Sequence, residues 1–174
     1  IPVGAGLGGG SSDGAFALLA VNHLLQLNWP PQRLSDFAAQ FGSDLSFFFH
    51  GPRSICNGRG QFVRPTPPPK PRYALLILPK IHMPTPAVYR KFDEMHLGHA
   101  DSLAPQNWQQ WSTLSANDLL PLLINDLEPP AFALNPTLAA LHKRSTQLLA
   151  RTIRMSGSGS TLFTLYDDEE PAQQ

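Results

Sequence analysis

The feature that most constrains this chain is a run of glycines near its start. Six of the first fourteen residues are glycine, in the order Ile-Pro-Val-Gly-Ala-Gly-Leu-Gly-Gly-Gly-Ser-Ser-Asp-Gly. Glycine has no Cβ, so such a loop can turn its backbone N–H groups inward, toward an anion. Apolar residues at 16, 19, 20, 24 and 27 predict a helix at 12–27, with Ser12 and Asp13 suited to its N-cap. The positive end of that helix dipole would add to an anion site.

Three kinds of phosphate-binding loop are compatible with parts of this glycine run. A Walker A loop needs Gly-Lys-Ser/Thr, and the run contains no lysine. Gly4, Gly6 and Gly9 formally match a dinucleotide fingerprint, but the preceding strand and the acidic residue about 20 positions later are lacking. A loop of the sugar-kinase type holds phosphates by backbone groups alone. A flexible loop without a ligand is the remaining alternative.

The position of the glycine run also bears on how the chain begins. Such loops normally follow a strand, yet almost nothing precedes Gly4, so we expect the chain to lack its natural N-terminus. The predicted helix is apolar nearly all round and is expected to be buried. Without a sheet to pack on, its side chains Phe16, Leu19, Leu24 and Leu27 would face water.

Composition argues against several classes of function. Lys plus Arg and Asp plus Glu number 13 each, so the formal net charge is zero. Nucleic acid is therefore not an expected partner, because binding to a duplex requires a basic excess. The single cysteine, Cys56, argues against an internal disulfide or a multi-cysteine metal site, and we expect a packed thiol. No apolar stretch approaches the roughly 20 residues of a membrane helix and no secretory leader is visible, so we expect a cytoplasmic protein without membrane partners.

The rest of the chain mixes helices and strands. Helices are predicted at 31–41, 85–94 and 136–149, and short strands at 53–57, 61–64, 151–155 and 161–166. The apolar run at 73–79 predicts a buried strand. Five prolines at 65–71 predict an extended connector at the surface, where a domain boundary can fall.

Three further groups of residues are candidates for chemistry. Asp44 stands near Phe47-Phe48-Phe49 and could be a desolvated base, although spacing alone favours an N-cap or turn role. His96 and His99 lie close to aspartates and could bind a metal, although a solvated loop is favoured. A second glycine loop at 156–160 fits a plain hairpin and a phosphate-proximal loop equally well.

Five segments, in order along the chain, resemble motifs of the GHMP kinases. They are residues 2–13, 42–48, 84–89, 125–128 and 154–161. The triple glycine followed by Ser-Ser-Asp is similar to the branch of that family whose acceptor carries a cytidine diphosphate. The likeness covers nearly the whole chain up to about Tyr166. Ser46 stands where the family usually has proline.

The resemblance implies an α+β fold with two domains. Residues 1–66 would be part of a ribosomal-S5-like, ATP-binding domain, and residues 72–168 a ferredoxin-like C-terminal domain. The family's opening third would be missing, and with it a catalytic lysine and most of the adenine pocket.

The resemblance also implies a reaction and the residues that carry it. The expected activity is transfer of the ATP γ-phosphoryl group to the 2-hydroxyl of 4-diphosphocytidyl-2-C-methyl-D-erythritol, in non-mevalonate isoprenoid synthesis, with Mg²⁺ as the metal. Asp44 would accept the hydroxyl proton, Thr85 would contact the acceptor and Tyr89 would stack on its cytosine. The expected ATP-binding residues are Gly4, Ala5, Gly6, Leu7, Gly8, Gly9, Gly10, Ser11 and Ser12, with Ser12 also at the metal. The expected acceptor-binding residues are Asp44, Thr85, Tyr89, Gly157, Ser158 and Gly159. The alternatives are another GHMP small-molecule kinase and a non-catalytic nucleotide-binding fragment. The protein is expected to be a monomer or a homodimer.

Overall fold

The chain divides into two compact units, Gly8–Pro69 and Ile1–Leu7 together with Lys70–Gln174. The computed structural model describes residues 1–2, 4–51, 53–68, 70–98 and 108–169. Helices and strands occur in both units, which confirms the predicted α+β class. The functional domains expected at 1–66 and 72–168 stay a prediction. Over the described ranges, no helix combines the length and the apolar character that crossing a membrane requires.

The first unit, Gly8–Pro69, packs two α-helices against a short 3-10 helix and a hairpin. Its elements are α1 (Gly9–Leu24), α2 (Pro31–Ala38), the 3-10 helix Leu45–Phe49, and the antiparallel strands β1 (Ser54–Asn57) and β2 (Phe62–Pro65). Proline at the first position of α2 suits a helix start, because its missing N–H would have no partner there. The predicted helix at 31–41 ends early, at Ala38. Its last residues form a turn in which Gly42 N donates to Ala38 O at 3.3 Å.

Helix α1 is largely exposed, which confirms the expectation that apolar side chains of this helix face water, whereas the expectation of a buried helix is wrong for the described chain. Ala15 is its one fully buried residue. Phe16 and Leu24 face solvent, as does Leu27 just beyond the helix, and Leu19 is half-buried. In the described part of its unit, α1 packs on α2 and the 3-10 helix, and no strand lies along its outer face. The exposure of these side chains is what a helix without a covering sheet is expected to show.

The second unit joins a three-stranded antiparallel sheet to several helices. Its elements are β3 (Tyr73–Ile77), α3 (Thr85–Glu94), α4 (Trp108–Trp111), α5 (Ala116–Leu119), a 3-10 turn (Leu120–Leu122), α6 (Glu128–Leu134), α7 (Pro136–Leu149), β4 (Arg154–Met155) and β5 (Leu162–Tyr166). The strand order is β3-β5-β4, with Tyr73 opposite Tyr166 and Met155 opposite Leu162. The bounds of α3 and α7 confirm the helices predicted at 85–94 and 136–149.

One hydrophobic core holds this second unit together. It is formed by Met83, Val88, Ala131, Leu138, Ile153, Met155 and Leu162, all nearly inaccessible to solvent. Five of the core side chains come from α3, α6, α7, β4 and β5, and Met83 and Ile153 lie just before α3 and β4, so the two short strands that flank the second glycine loop are anchored in the core. Fully burying a side chain of this kind contributes about 1.5–3 kcal/mol.

Two strand predictions fail in this unit. The apolar run at 73–79 forms a strand only as far as Ile77, and Tyr73 and Leu76 are exposed. The reason is that β3 lies at the edge of the sheet and pairs with β5 alone among the described strands. The strand predicted at 151–155 is reduced to Arg154–Met155.

Candidate functional site

The first glycine loop ends in the start of helix α1. Gly8 adopts the left-handed conformation, with φ 65°, and serves as the N-cap, so the prediction of Ser12 or Asp13 as the cap is wrong. Ser12 N donates to Gly8 O at 2.8 Å, the first helical hydrogen bond. The backbone N–H groups of Gly9, Gly10 and Ser11 come before that bond and have no carbonyl within the helix to bind. Donor groups of this kind, with a helix dipole behind them, are the usual means by which a helix start binds an anion such as phosphate.

Glycine at position 10 is not required by packing. A Cβ built on Gly10 meets no described atom within 4 Å, apart from the helix's own backbone and its chain neighbours. A Cβ on Gly8 would lie 3.4 Å from Phe48 Cζ, at ordinary contact distance, but φ at Gly8 is positive. The helix start is therefore open to a ligand at Gly10, and Gly8 provides the turn that leads into it.

The beginning of the same loop, Gly4 to Leu7, belongs to the second unit and packs on the second glycine loop. Ser156 Oγ donates to Gly6 O at 2.7 Å, and Thr161 N donates to Ala5 O at 3.2 Å. A Cβ on Gly6, where φ is 73°, would collide with the carbonyl oxygen of Ser156. Close backbone approach therefore accounts for glycine at position 6 without a ligand.

The second glycine loop connects β4 and β5. Ser156 N donates to Thr161 O at 2.9 Å and Gly159 N donates to Ser156 O at 3.0 Å, as in a tight hairpin. Gly157 and Gly159 have φ of 55° and 90°, which side-chain-bearing residues rarely adopt. The plain-hairpin alternative thus describes the backbone correctly, and it does not conflict with a binding role for the loop.

Thr85 and Ser158, both expected at the acceptor site, meet in the structure. Thr85 is the first residue of α3, and its Oγ1 lies 2.8 Å from Ser158 Oγ, within hydrogen-bonding distance. Tyr89 follows one turn later and is 53% exposed, whereas Val88 beside it is fully buried. Tyr89 is therefore not a core residue, and its ring is available to a ligand.

Asp44 lies in the first unit, directly before the 3-10 helix. Its side chain is exposed and makes no capping hydrogen bond, although it occupies the N-cap position. The aromatic residues that follow do not desolvate it: Phe47 and Phe48 pack edge to face on each other, with ring centroids 5.2 Å apart. The alternative of a desolvated carboxylate does not hold for the described chain, whereas the N-cap position favoured by spacing is the one that Asp44 occupies, so any role as a base depends on position rather than on burial.

Two contacts fix the backbone around Asp44. A Cβ on Gly60, in the loop between β1 and β2, would lie 2.8 Å from Ser43 O, so this loop packs directly against the residue before Asp44. Ser46, which replaces the usual proline, is fully buried and donates from Oγ to Ser35 O in α2 at 3.2 Å. The serine thus replaces the rigidity of proline by a hydrogen bond to a neighbouring helix.

Cys56 on strand β1 reports the charge of Asp44. The thiol is exposed, which contradicts the expected packed thiol. Partial burial of the sulfur raises its pKa, and the negative charge of Asp44 raises the pKa further. Asp44 therefore lies within electrostatic reach of Cys56.

The metal expectations find limited structural support. Ser12 lies in the first turn of α1 and is half-buried. No group of three or more His, Cys, Asp or Glu side chains suited to a metal occurs within the described ranges. Mg²⁺ at a nucleotide site takes many of its ligands from phosphates and water, so one hydroxyl at a helix start fits such an ion. His99 lies outside the described residues, so the alternative metal site at His96 and His99 stays a prediction.

Two polar residues of the fourth motif were not predicted to act at the site, yet they bind the second glycine loop. Asn125 donates to the backbone of that loop, and Glu128 accepts from the strand that enters it. The motif itself is visible in the sequence, but neither partner lies within 25 residues along the chain. No periodicity or spacing rule reveals such contacts.

Two family models match this chain, one near its beginning and one near its end. The GHMP kinases N terminal domain matches residues 1–52, and the GHMP kinases C terminal domain matches residues 101–174. The chain belongs to the GHMP kinase family.

Individual relatives are more specific. The chain is 35% identical over 178 residues to a 4-diphosphocytidyl-2-C-methyl-D-erythritol kinase of Thermodesulfovibrio yellowstonii, in an alignment that covers 100% of this chain and 62% of the relative. It is 38% identical to the kinase of that name from Desulfitobacterium hafniense, in an alignment that covers 100% of this chain and 60% of the relative. It is 36% identical to the chloroplastic kinase of Arabidopsis thaliana, in an alignment that covers 98% of this chain and 47% of the relative. A crystal structure of 4-(cytidine 5'-diphospho)-2C-methyl-D-erythritol kinase superposes with a TM-score of 0.72 at 33% identity, covering 99% of this chain and 61% of that one. The chain thus spans about three fifths of the length of the bacterial relatives named here.

Proposed function

We propose that this chain is part of an ATP-dependent kinase that phosphorylates the 2-hydroxyl of 4-diphosphocytidyl-2-C-methyl-D-erythritol. The observation that carries the proposal is the similarity to kinases of this acceptor along the whole chain, at 35% identity in the Thermodesulfovibrio yellowstonii protein. The glycine-led start of α1 and the Thr85–Ser158 contact supply the local geometry that such a reaction needs. Phosphoryl transfer depends mainly on positioning and on neutralising charge.

The ATP phosphates bind at the start of α1 in this proposal. The free N–H groups of Gly9, Gly10 and Ser11 donate to phosphate oxygens, and the helix dipole stabilises their charge. Ser12 contributes a hydroxyl to a phosphate oxygen or to Mg²⁺, which supplies positive charge to the phosphates when it is bound. Ala5 and Gly6, at the beginning of the first glycine loop, accept hydrogen bonds from Thr161 N and Ser156 Oγ, and these bonds support the loop.

Asp44 acts as the proton acceptor. As the acceptor's 2-hydroxyl oxygen forms a bond to the γ-phosphorus, its proton passes to the Asp44 carboxylate, and the bond from the γ-phosphorus to the β,γ-bridging oxygen breaks to release ADP. The support for this role is that the carboxylate is exposed and not occupied by a capping bond.

The acceptor binds at the start of α3 and the second glycine loop. Tyr89 offers an exposed ring on which the cytosine can stack, and Thr85 offers a hydroxyl next to Ser158. Gly157 and Gly159 keep the loop free of side chains that would obstruct the transferred group.

A substrate comparison tests the proposal. The complete protein that contains this chain is incubated with ATP and, in parallel, with 4-diphosphocytidyl-2-C-methyl-D-erythritol, mevalonate or homoserine, and products are followed by ³¹P NMR. A new phosphomonoester signal on the cytidine-linked acceptor, together with ADP, is the expected result. A preference for another acceptor would indicate a different small-molecule kinase of the family. Binding of ATP without turnover of any acceptor would favour a non-catalytic nucleotide-binding role, and both outcomes would overturn the proposal.

A further inference from the structure

The segment Asn125–Glu128 has no part in the proposed reaction, yet its side chains bind the second glycine loop. Asn125 Nδ2 donates to Met155 O at 2.9 Å and to Gly157 O at 2.8 Å. Asn125 Oδ1 accepts from Leu127 N at 3.0 Å. Both donor positions and the acceptor of the amide are therefore used, and this network fixes which way the amide points. Turning the amide over would place its oxygen against two carbonyl oxygens.

Glu128 binds the strand that leads into the loop. Its Oε1 accepts from Met155 N at 2.7 Å, and its Oε2 lies 3.5 Å from Arg154 Nη1. The Glu128 side chain is only 12% exposed, so this charge-assisted hydrogen bond is largely shielded from water. Both polar backbone groups of Met155 are thus bound by side chains from this one segment.

Gly157, which accepts a hydrogen bond from Asn125, lies between two loop residues that contact expected site residues. The residue before it, Ser156, donates to Gly6 O, and the residue after it, Ser158, meets Thr85. Asn125 therefore binds the loop between its contacts with two residues expected at the binding site. A shift of Gly157 would move both contacts together.

We propose that Asn125 is a positioning residue that holds the second glycine loop in the conformation required for phosphoryl transfer. This inference rests on the proposed kinase function. Asn125 acts through the Gly157 carbonyl, and its own contribution is to limit opening of the loop. Such a contribution affects rate, because misplacement of a site by about 1 Å can cost about 10²-fold.

The sequence supplies a matched pair of substitutions that tests the inference. Asn125→Asp keeps the shape of the side chain but places a carboxylate oxygen, which cannot donate, against the carbonyls of Met155 and Gly157. Asn117→Asp makes the same change in the other Asn-Asp-Leu tripeptide, where the side chain is exposed on α5. Both variants add one negative charge, so a difference between them reports the hydrogen bonds of Asn125. Asn125→Ala removes the donors without adding repulsion and serves as the milder variant.

The first measurement is amide hydrogen exchange in the ligand-free protein. The amides of Ser156 and Gly159 are hydrogen-bonded within the loop, so their exchange reports loop opening. Loss of two hydrogen bonds should speed their exchange by about tenfold or more in Asn125→Asp, less in Asn125→Ala, and not in Asn117→Asp. Protected amides in β5 confirm that each variant is folded. If the β5 amides of Asn125→Asp lose their protection, that variant is unfolded and the loop exchange of Asn125→Ala is compared with the parent instead. Unchanged loop exchange in a folded Asn125 variant would overturn the inference.

The second measurement separates holding the loop from supporting the reaction. In Asn125→Asp the kcat for the acceptor should fall by about tenfold or more, while the KM for ATP stays within about threefold and Asn117→Asp matches the parent. A loosened loop with normal kcat would overturn the positioning role. If the unsubstituted protein phosphorylates no acceptor, the proposed function fails, and the exchange comparison still decides whether Asn125 holds the loop.

Discussion

At the scale of single residues, Asp44 is the side chain on which the proposed chemistry depends most. Asp44→Asn keeps its shape and removes the proton acceptor, so kcat should fall by about 10²–10⁴-fold while acceptor affinity changes little. Asp36→Asn, an equal charge change at an exposed position of α2 in the same unit, should leave kcat unaltered. Steady-state kinetics on both variants make the comparison. An Asp44 variant with near-normal kcat would return this residue to a turn role.

The thiol of Cys56 gives an independent check on the position of Asp44. Burial is the larger cause of its raised pKa, and the Asp44 charge is the second. Asp44→Asn removes only the second cause, so the thiol pKa should fall part of the way toward its usual value. At a fixed pH near 8 the thiolate fraction should then rise, and alkylation by iodoacetamide should become faster. Since Cys56 is the only cysteine in the sequence, the reaction needs no correction for others. An unchanged pH profile of alkylation would place Asp44 out of reach of Cys56.

Tyr89 tests the acceptor pocket. Stacking on an aromatic ring is worth about 1–3 kcal/mol per base, so Tyr89→Ala should raise the KM for the acceptor by about 5- to 150-fold and leave the KM for ATP nearly unchanged. Tyr89→Phe retains the ring and should behave like the parent. Because the side chain is half exposed, neither variant should lower the melting temperature appreciably. A rise in the KM for ATP instead would mean that the two binding sites are reversed.

At the scale of secondary-structure elements, the start of α1 separates packing from binding. Gly10→Ala adds a methyl group where no neighbouring described atom lies within 4 Å, in a helical position that favours alanine by up to about 1 kcal/mol. The protein should therefore be as stable as the parent or more stable, yet lose ATP affinity by about tenfold, because the methyl group occupies the phosphate's approach. Thermal melts and calorimetric titration with ATP measure the two effects. An unchanged affinity for ATP would show that Gly10 does not lie at the phosphate site.

Gly6→Ala is the contrasting substitution for that experiment. Its Cβ would collide with the Ser156 carbonyl, and its φ of 73° is unfavourable for alanine. Loss of stability should accompany any loss of binding, at a cost of about 1–3 kcal/mol. The two glycines of one loop thus differ in what they do, although the sequence pattern presents them alike.

The elements that could be predicted are those whose signals are local. Helices α3 and α7 carry their own apolar spacing and a proline in the first turn, and both match their predicted bounds. Helix α1 begins at Gly9 rather than Ser12, because a left-handed glycine can start a helix without the polar side chain that capping rules look for. Helix α6 was not predicted, since Pro129 and Pro130 suggest a break, whereas both fit within its first turn.

The functional residues divide in the same way. Both glycine loops, Asp44 and Thr85 stand in recognisable motifs, so the sequence alone singles them out. The hydrogen bond from Asn125 to Gly157 joins residues 32 positions apart in the sequence. It depends on how β4 and α6 pack, which no local pattern encodes. Exposure is equally hidden: the sequence makes α1 and β3 look buried, but burial depends on which elements pack over them.

At the scale of the whole molecule, buried hydrophobic residues are divided unequally between the units. Within the described ranges, Gly8–Pro69 buries Ala15, Leu34 and Ala38 fully, and the other fully buried hydrophobic side chains lie in the second unit. The first unit also carries exposed apolar side chains on α1, namely Phe16, Val21 and Leu24, and a fourth at its C-cap, Leu25. Val21, Leu24 and Leu25 are three and four residues apart, so they form one surface.

A polypeptide of these 174 residues should therefore associate with itself through that surface of α1, because contiguous exposed apolar side chains favour contact over hydration. Leu24→Lys places a charge in its centre and should shift the protein toward monomer in concentration-dependent light scattering. Leu148→Lys is the matched control: Leu148 is 80% exposed on α7 and Leu24 is 76% exposed, but Leu148 belongs to the other unit. Neither substitution should cost more than about 0.5 kcal/mol of stability, since both side chains already face solvent. A parent that is monomeric at every concentration, or equal effects of the two lysines, would show that the exposed face of α1 does not drive association.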